Sequence, residues 1–136
     1  MSVAQTDRDI LFSNEAFVIG MLQAVSGGAL VAALAQSEAL IKLSGNIAFL
    51  LFLTAMAVGL LSAVFAAYWK HQYKLWDVKA QASLARNATD KAQERSAKAT
   101  RYLRVMRAAF VVSLLGILFG VGELVVAFWL RVLCAA

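Results

Sequence analysis

Three stretches of this chain are long, apolar and almost free of charge, and that pattern limits the fold more tightly than any motif. From Glu15 to Gln36 no charge follows Glu15; at helical rise the stretch matches the roughly 30 Å hydrocarbon core of a bilayer. From Asn46 to Trp69 there is again no charge, and the stretch closes with Tyr68, Trp69 and then Lys70. That aromatic-then-basic order is expected where a helix leaves the membrane. The third stretch runs from Ala108 to Leu130, between Arg107 and Arg131, with Glu123 as its single internal charge.

Composition decides between membrane spans and an unusually large soluble core. The chain is 62% hydrophobic and 15% charged, against about 45–50% apolar and about 25% charged in soluble domains. It contains no proline, so nothing forces a kink in any helix. The predicted class is therefore an all-α membrane protein, a single domain over residues 1–136 with transmembrane helices over 15–36, 46–69 and 108–130. Asp7, Arg8 and Asp9 precede a full-length span, unlike the basic start and short apolar stretch of a signal peptide, so the first span is expected to be retained. The single cysteine, Cys134, has no intramolecular partner, and the ending Cys-Ala-Ala is one residue short of a prenylation box.

The basic residues set the expected orientation. Of 13 Lys and Arg, ten lie between the second and third spans: Lys70, Lys74, Lys79, Arg86, Lys91, Arg95, Lys98, Arg101, Arg104 and Arg107. Only Asp77, Asp90 and Glu94 oppose them, a net +7. Lys and Arg flanking spans are held on the cytoplasmic side, which predicts a cytoplasmic N-terminus and an outside C-terminus. Residues 71–106 are rich in good helix formers and hold no Gly or Pro. Spans two and three are thus expected to extend into a cytoplasmic helical hairpin over 70–107, projecting about 20–25 Å. Its turn is expected at Asn87, Ala88, Thr89 and Asp90, with Asp90 and Gln93 at capping-box spacing.

Inside lipid, helices associate where small residues allow close approach. Gly20, Ala24, Gly28 and Ala32 form one ladder at four-residue spacing; Ala55, Gly59, Ala63 and Ala67 form another. Joined by a short loop containing Ser44, Gly45 and Asn46, spans one and two read as a closely packed antiparallel pair. In span three, Ser113, Gly116, Gly120, Glu123, Ala127 and Arg131 fall within about 80° of one face. An ionisable group in hydrocarbon costs on the order of 2.5–3.5 kcal/mol, so Glu123 is expected to face protein or water. It reads either as a proton or cation site or subunit contact, or as a carboxylate that reaches the interface, is protonated, or pairs with Gln23, Gln36, Lys42 or Arg131.

Convergent catalytic groups are missing from the pattern. One His, one Cys and one intramembrane Glu form no nucleophile–base pair, paired carboxylates or metal spacing, and no phosphate-cradling or dinucleotide fingerprint occurs. His71 reads as an ordinary interfacial histidine, and neither catalysis nor a cofactor is expected. Lys70, Lys74, Arg101, Arg104 and Arg107 are candidate contacts for anionic lipid headgroups or a partner; topology already accounts for this charge, which argues against nucleic acid. Trp69 and Trp129 read as interfacial anchors.

The segments Ser26-Gly27-Gly28-Ala29-Leu30-Val31-Ala32-Ala33-Leu34 and Val112-Ser113-Leu114-Leu115-Gly116-Ile117-Leu118-Phe119-Gly120 resemble those of small three-span bacterial inner-membrane proteins of uncharacterised function. The resemblance implies a bacterial inner membrane and carries no functional residue across. The chain also resembles phage holins in size, basic character and span number, but three-span holins have an outside N-terminus and a charged cytoplasmic tail, whereas Val132 to Ala136 is uncharged. The expected role is a non-enzymatic membrane subunit that forms a homo-oligomer or docks on a larger complex. The alternative is an oligomeric pore or ion-conducting effector, holin-like or defence-type, with Glu123 lining the opening.

Overall fold

The computed structural model describes the backbone of residues 3–135 and the side chains of residues 13–134. Among the described residues every element is an α-helix: α1 (Val3–Ala35), α2 (Ser37–Ser44), α3 (Asn46–Leu84) and α4 (Thr89–Ala135). Three of them, α1, α3 and α4, are long and apolar enough to cross a bilayer. No more than 28% of the most apolar stretch of any of these is buried within the chain, so most of their apolar surface is left for something other than this chain to cover.

Burial follows a seven-residue repeat. On α3 the buried positions Phe49, Met56, Ala63 and Lys70 are interleaved with Phe52, Gly59, Ala66 and Ala80, and Ser83, next to the turn, departs from the repeat. On α4 they are Ala92, Ala99, Met106, Ser113 and Gly120. A 3.5-residue period keeps one seam facing its partner along the whole of a long helix pair. The two helices run antiparallel, with Gly59 against Ser113 and Ile117, Trp69 against Tyr102, and Ser83 against Arg95.

The closest approach lies at Gly59 and Gly116. A Cβ added at Gly116 would sit 2.9 Å from the Ala55 carbonyl oxygen and 3.1 Å from the Gly59 nitrogen. Glycine is needed there because backbone, which cannot rotate away, occupies the space. Gly120 faces Ala55, Met56 and Phe52 one turn further on. The Ser113 hydroxyl is fully buried beside this crossing, with no hydrogen-bond partner among the described residues.

Helix α1 packs on α3 and barely touches α4. It too is antiparallel to α3, with Glu15 near Lys70 and Gly27 near Leu60. The expected pairing of two small-residue ladders is not what joins them. Gly20, Ala24, Gly28 and Ala32 are all exposed, and nothing lies within 4 Å of a Cβ built at Gly20 or Gly28. The buried face of α1 carries Ile19, Ser26 and Ala33 instead, with the Ser26 hydroxyl donating to the Leu22 carbonyl at 2.8 Å. The reason is volume. Ile19 fills a space beside Ala66 and Met106 that a face of Gly and Ala leaves empty, and Gly59 of the second ladder is already taken by α4.

The connection between α1 and α3 is helical where a loop was expected. Ser37–Ser44 forms α2 with Glu38 in its first turn and Lys42 in its last, charges that complement the helix dipole. Leu40 and Ile41 pack on the cluster of Ala33, Phe49, Phe52 and Met56. Gly45 ends α2 at φ 87°, ψ 160°, and its N–H donates to the Ile41 carbonyl at 2.8 Å. Arg131 closes this corner from α4 by donating to the Lys42 carbonyl.

At the opposite end α3 stops two residues before the turn expected from sequence. Asn87 adopts φ 60°, the Ala88 N–H donates to the Ser83 carbonyl and the Asn87 N–H to the Leu84 carbonyl, each at 3.0 Å. This is a Schellman ending with asparagine in the left-handed position. The Ala88 carbonyl then accepts from Ala92 at 3.0 Å to start α4. Asp90 therefore lies inside the first turn, where it favours the helix dipole and does not serve as the cap.

Candidate functional site at the charged end of the bundle

The apolar seam of α3 runs through Ala63 and Ala66 and then, at the next repeat position, meets Lys70. Its side chain is only 8% exposed. The aliphatic stem continues the packed face while the ammonium reaches α1, where it lies 3.9 Å from the Glu15 carboxylate. That separation is an ion pair without a hydrogen bond, and the buried Glu15 Oε2 has no hydrogen-bond partner among the described residues. Glu15 is the last charge before the first apolar stretch and Lys70 the first after the second. Antiparallel helices bring such residues to one level, so the pairing was visible in principle from sequence.

Aromatic side chains brace the same level. The Trp69 and Tyr102 rings stack with centroids 5.2 Å apart and 20° between planes, and Tyr68 meets Trp69 edge-on. Further along, Lys79 and Lys98 lie 4.9 and 5.1 Å from the Trp76 ring. Each such contact is worth roughly 0.5–1 kcal/mol when exposed. Arg95 donates to the Ser83 hydroxyl at 2.5 Å and to the Lys79 carbonyl at 3.0 Å. Lys98 donates to Glu94 at 2.7 Å, and this hydrogen bond and charge hold the Glu94 carboxyl below its ordinary range.

Two grooves flank α1 at this end. On its α3 side, Gln23 and Gly20 face Lys70, His71 and Lys74. On its α4 side, Asn14, Glu15, Val18 and Ile19 face Met106, Arg107 and Phe110 across about 330 Å³. The candidate residues are therefore divided. Lys70, Lys74 and Gln23 come together on one flank, Arg107 lies on the other, and Arg101 and Arg104 are exposed along α4.

Glu123 belongs to the far end, on the order of 30 Å away by helical rise. It is partly buried and makes no hydrogen bond or ion pair among the described residues. None of the four partners considered from sequence reaches it. Arg131 is engaged with the Lys42 carbonyl, Gln36 lies with Lys42 beside Ser37 and Glu38, and Gln23 is at the charged end. Among the described residues no cluster of His, Cys, Asp and Glu could hold a metal ion.

Comparisons with protein-family models, curated proteins and solved structures give no match for this chain. The physical arrangement alone therefore carries the functional reading.

Proposed function

We propose that the chain is a non-enzymatic, multi-pass subunit of a bacterial inner membrane that forms a homo-oligomer or docks on a larger membrane complex. In this reading α1, α3 and α4 cross the bilayer at about 15–36, 46–69 and 108–130, and the inner parts of α3 and α4 form a basic cytoplasmic hairpin. Ten of the 13 basic residues then lie inside, as retention of Lys and Arg requires. Anionic headgroups are natural neighbours of Lys70, Lys74, Arg101, Arg104 and Arg107.

The observation that carries the assembly role is the outward face of α1. Gly20, Ala24 and Gly28 are exposed with open space beyond both glycines, and small residues are the ones that let helices approach closely in lipid. A Cβ at either glycine meets nothing within 4 Å among the described residues, but Gly20 also borders the groove toward Lys70, His71 and Lys74, so Gly28→Leu is the variant that should fold as the parent does yet lose its partners. In mild detergent the parent is expected to run as an oligomer or with a captured subunit, and G28L as a monomer. A parent that is itself a lone monomer, or a variant that assembles unchanged, removes this role.

A second reading, an oligomeric pore or ion-conducting effector, is supported by the unpaired Glu123 carboxylate. Glu123→Gln keeps the shape and removes the charge. If Glu123 lines an opening, cation flux into liposomes falls by an order of magnitude or more while assembly persists; unchanged flux with intact assembly eliminates the pore.

A further inference from the structure

The groove between α1 and α4 exists because α1 is seated on α3 and leaves a gap on its other side. Its volume, about 330 Å³, is at the lower end of the roughly 300–1,000 Å³ of small-molecule sites. Its walls are arranged by depth. Asn14 on α1 and Arg107 on α4 form the polar rim at the start of their apolar stretches. About one helical turn further along each helix come Val18 and Phe110, with Ile19 next to Val18, while Met106 lies at the level of Arg107. A polar rim at the boundary and an apolar floor one turn deeper, repeated on two parallel helices, is the profile of an amphiphile lying along the bilayer normal.

Charge selects the headgroup. Arg107 makes no ion pair among the described residues, and its forked guanidinium suits a phosphate. Glu15, which also borders the groove, faces the Lys70 ammonium at 3.9 Å, so its negative charge is offset from the α3 side. We propose that the groove seats one anionic phospholipid, its phosphate on Arg107 and Asn14 and an acyl chain along Val18, Ile19, Met106 and Phe110. This rests on the membrane reading above and adds to it a defined lipid seat.

Trp69 packs on the same cluster as Ile19, Met106 and Phe110 and so reports on the groove. In a full-length chain with Trp76 and Trp129 changed to Phe, reconstituted in phosphatidylethanolamine vesicles, brominated phosphatidylglycerol should quench Trp69 more strongly than the same fraction of brominated phosphatidylethanolamine. Arg107→Gln should cut that preference about fivefold, the factor for one cation at an anionic surface, while Arg101→Gln, outside the groove, should preserve it. Equal quenching by the two lipids, or loss of the preference in R101Q as complete as in R107Q, overturns the seat. A companion chain retaining only Trp129 separates the remaining cases. If Trp129 is quenched and Trp69 is shielded from both lipids, protein occupies the groove and the proposal fails. If neither tryptophan is quenched, the membrane reading fails with it.

Discussion

Replacing Gly116 with leucine is expected to splay α3 from α4 and to cost about 3 kcal/mol or more, the upper range for forcing volume into a packed interface. The first added carbon already falls 2.9 Å from the Ala55 carbonyl oxygen and 3.2 Å from the Gly59 Cα, and three more carbons follow it. Neither contact is with a side chain that could turn aside, so the helices must separate along the seam. Ser113→Ala, three residues away on the same seam, should lose nothing, because it removes a buried hydroxyl that has no partner among the described residues. Titration with a denaturing detergent in mixed micelles reads both. G116L should unfold at clearly lower denaturant, and S113A at the parent's midpoint or above it. Equal midpoints for G116L and the parent would mean that the glycine crossing does not hold the pair together.

The second large effect is expected at Gly45. Its backbone at φ 87°, ψ 160° occupies a region essentially reserved for glycine, and forcing another residue there costs about 1–3 kcal/mol. A side chain would also meet the Arg131 guanidinium, 3.4 Å from the position of its Cβ. Gly45→Ala should therefore loosen the corner formed by α2, the start of α3 and the end of α4. Hydrogen exchange checks this locally. Amides of residues 40–44 should exchange faster in the variant, while those around Ala92 and Ala99, at the other end of the α3/α4 seam, should be unchanged. Uniform protection in both chains would show that Gly45 is not strained in the way its dihedral angles imply.

The parts of the fold that sequence revealed are those where one physical signal acts alone. Helices through residues 60–84 and 89–115 follow from the absence of Gly and Pro. The stripe of Ser113, Gly116 and Gly120 on α4 is legible in the sequence, whereas its partner, α3, is seen only in the structure. Helix α1 is different, since it offers small residues on more than one side; Gly20, Ala24 and Gly28 form the more regular ladder, yet Ile19, Ser26 and Ala33 form the buried face. Spacing alone does not choose between them, because the choice depends on the volume left by Ala66 and Met106. The helix α2 was hidden by its eight-residue length, too short to stand without the packing of Leu40 and Ile41. The Glu15–Lys70 pair escaped notice for another reason. Glu15 reads as the boundary of a span, and the antiparallel pairing expected of spans one and two brings it level with Lys70 only once the register of the pair is fixed.

Orientation in the membrane is tested most directly with the chain's own thiol. Cys134 is the only cysteine and is exposed, so an impermeant maleimide can ask which side each end of the molecule occupies. On intact spheroplasts the native chain should label at Cys134. A chain carrying Cys134→Ala and Ala88→Cys, with the thiol at the tip of the basic segment, should label only after the membrane is opened. Labelling of A88C on sealed spheroplasts, or recovery of the protein in the soluble fraction, would contradict the arrangement.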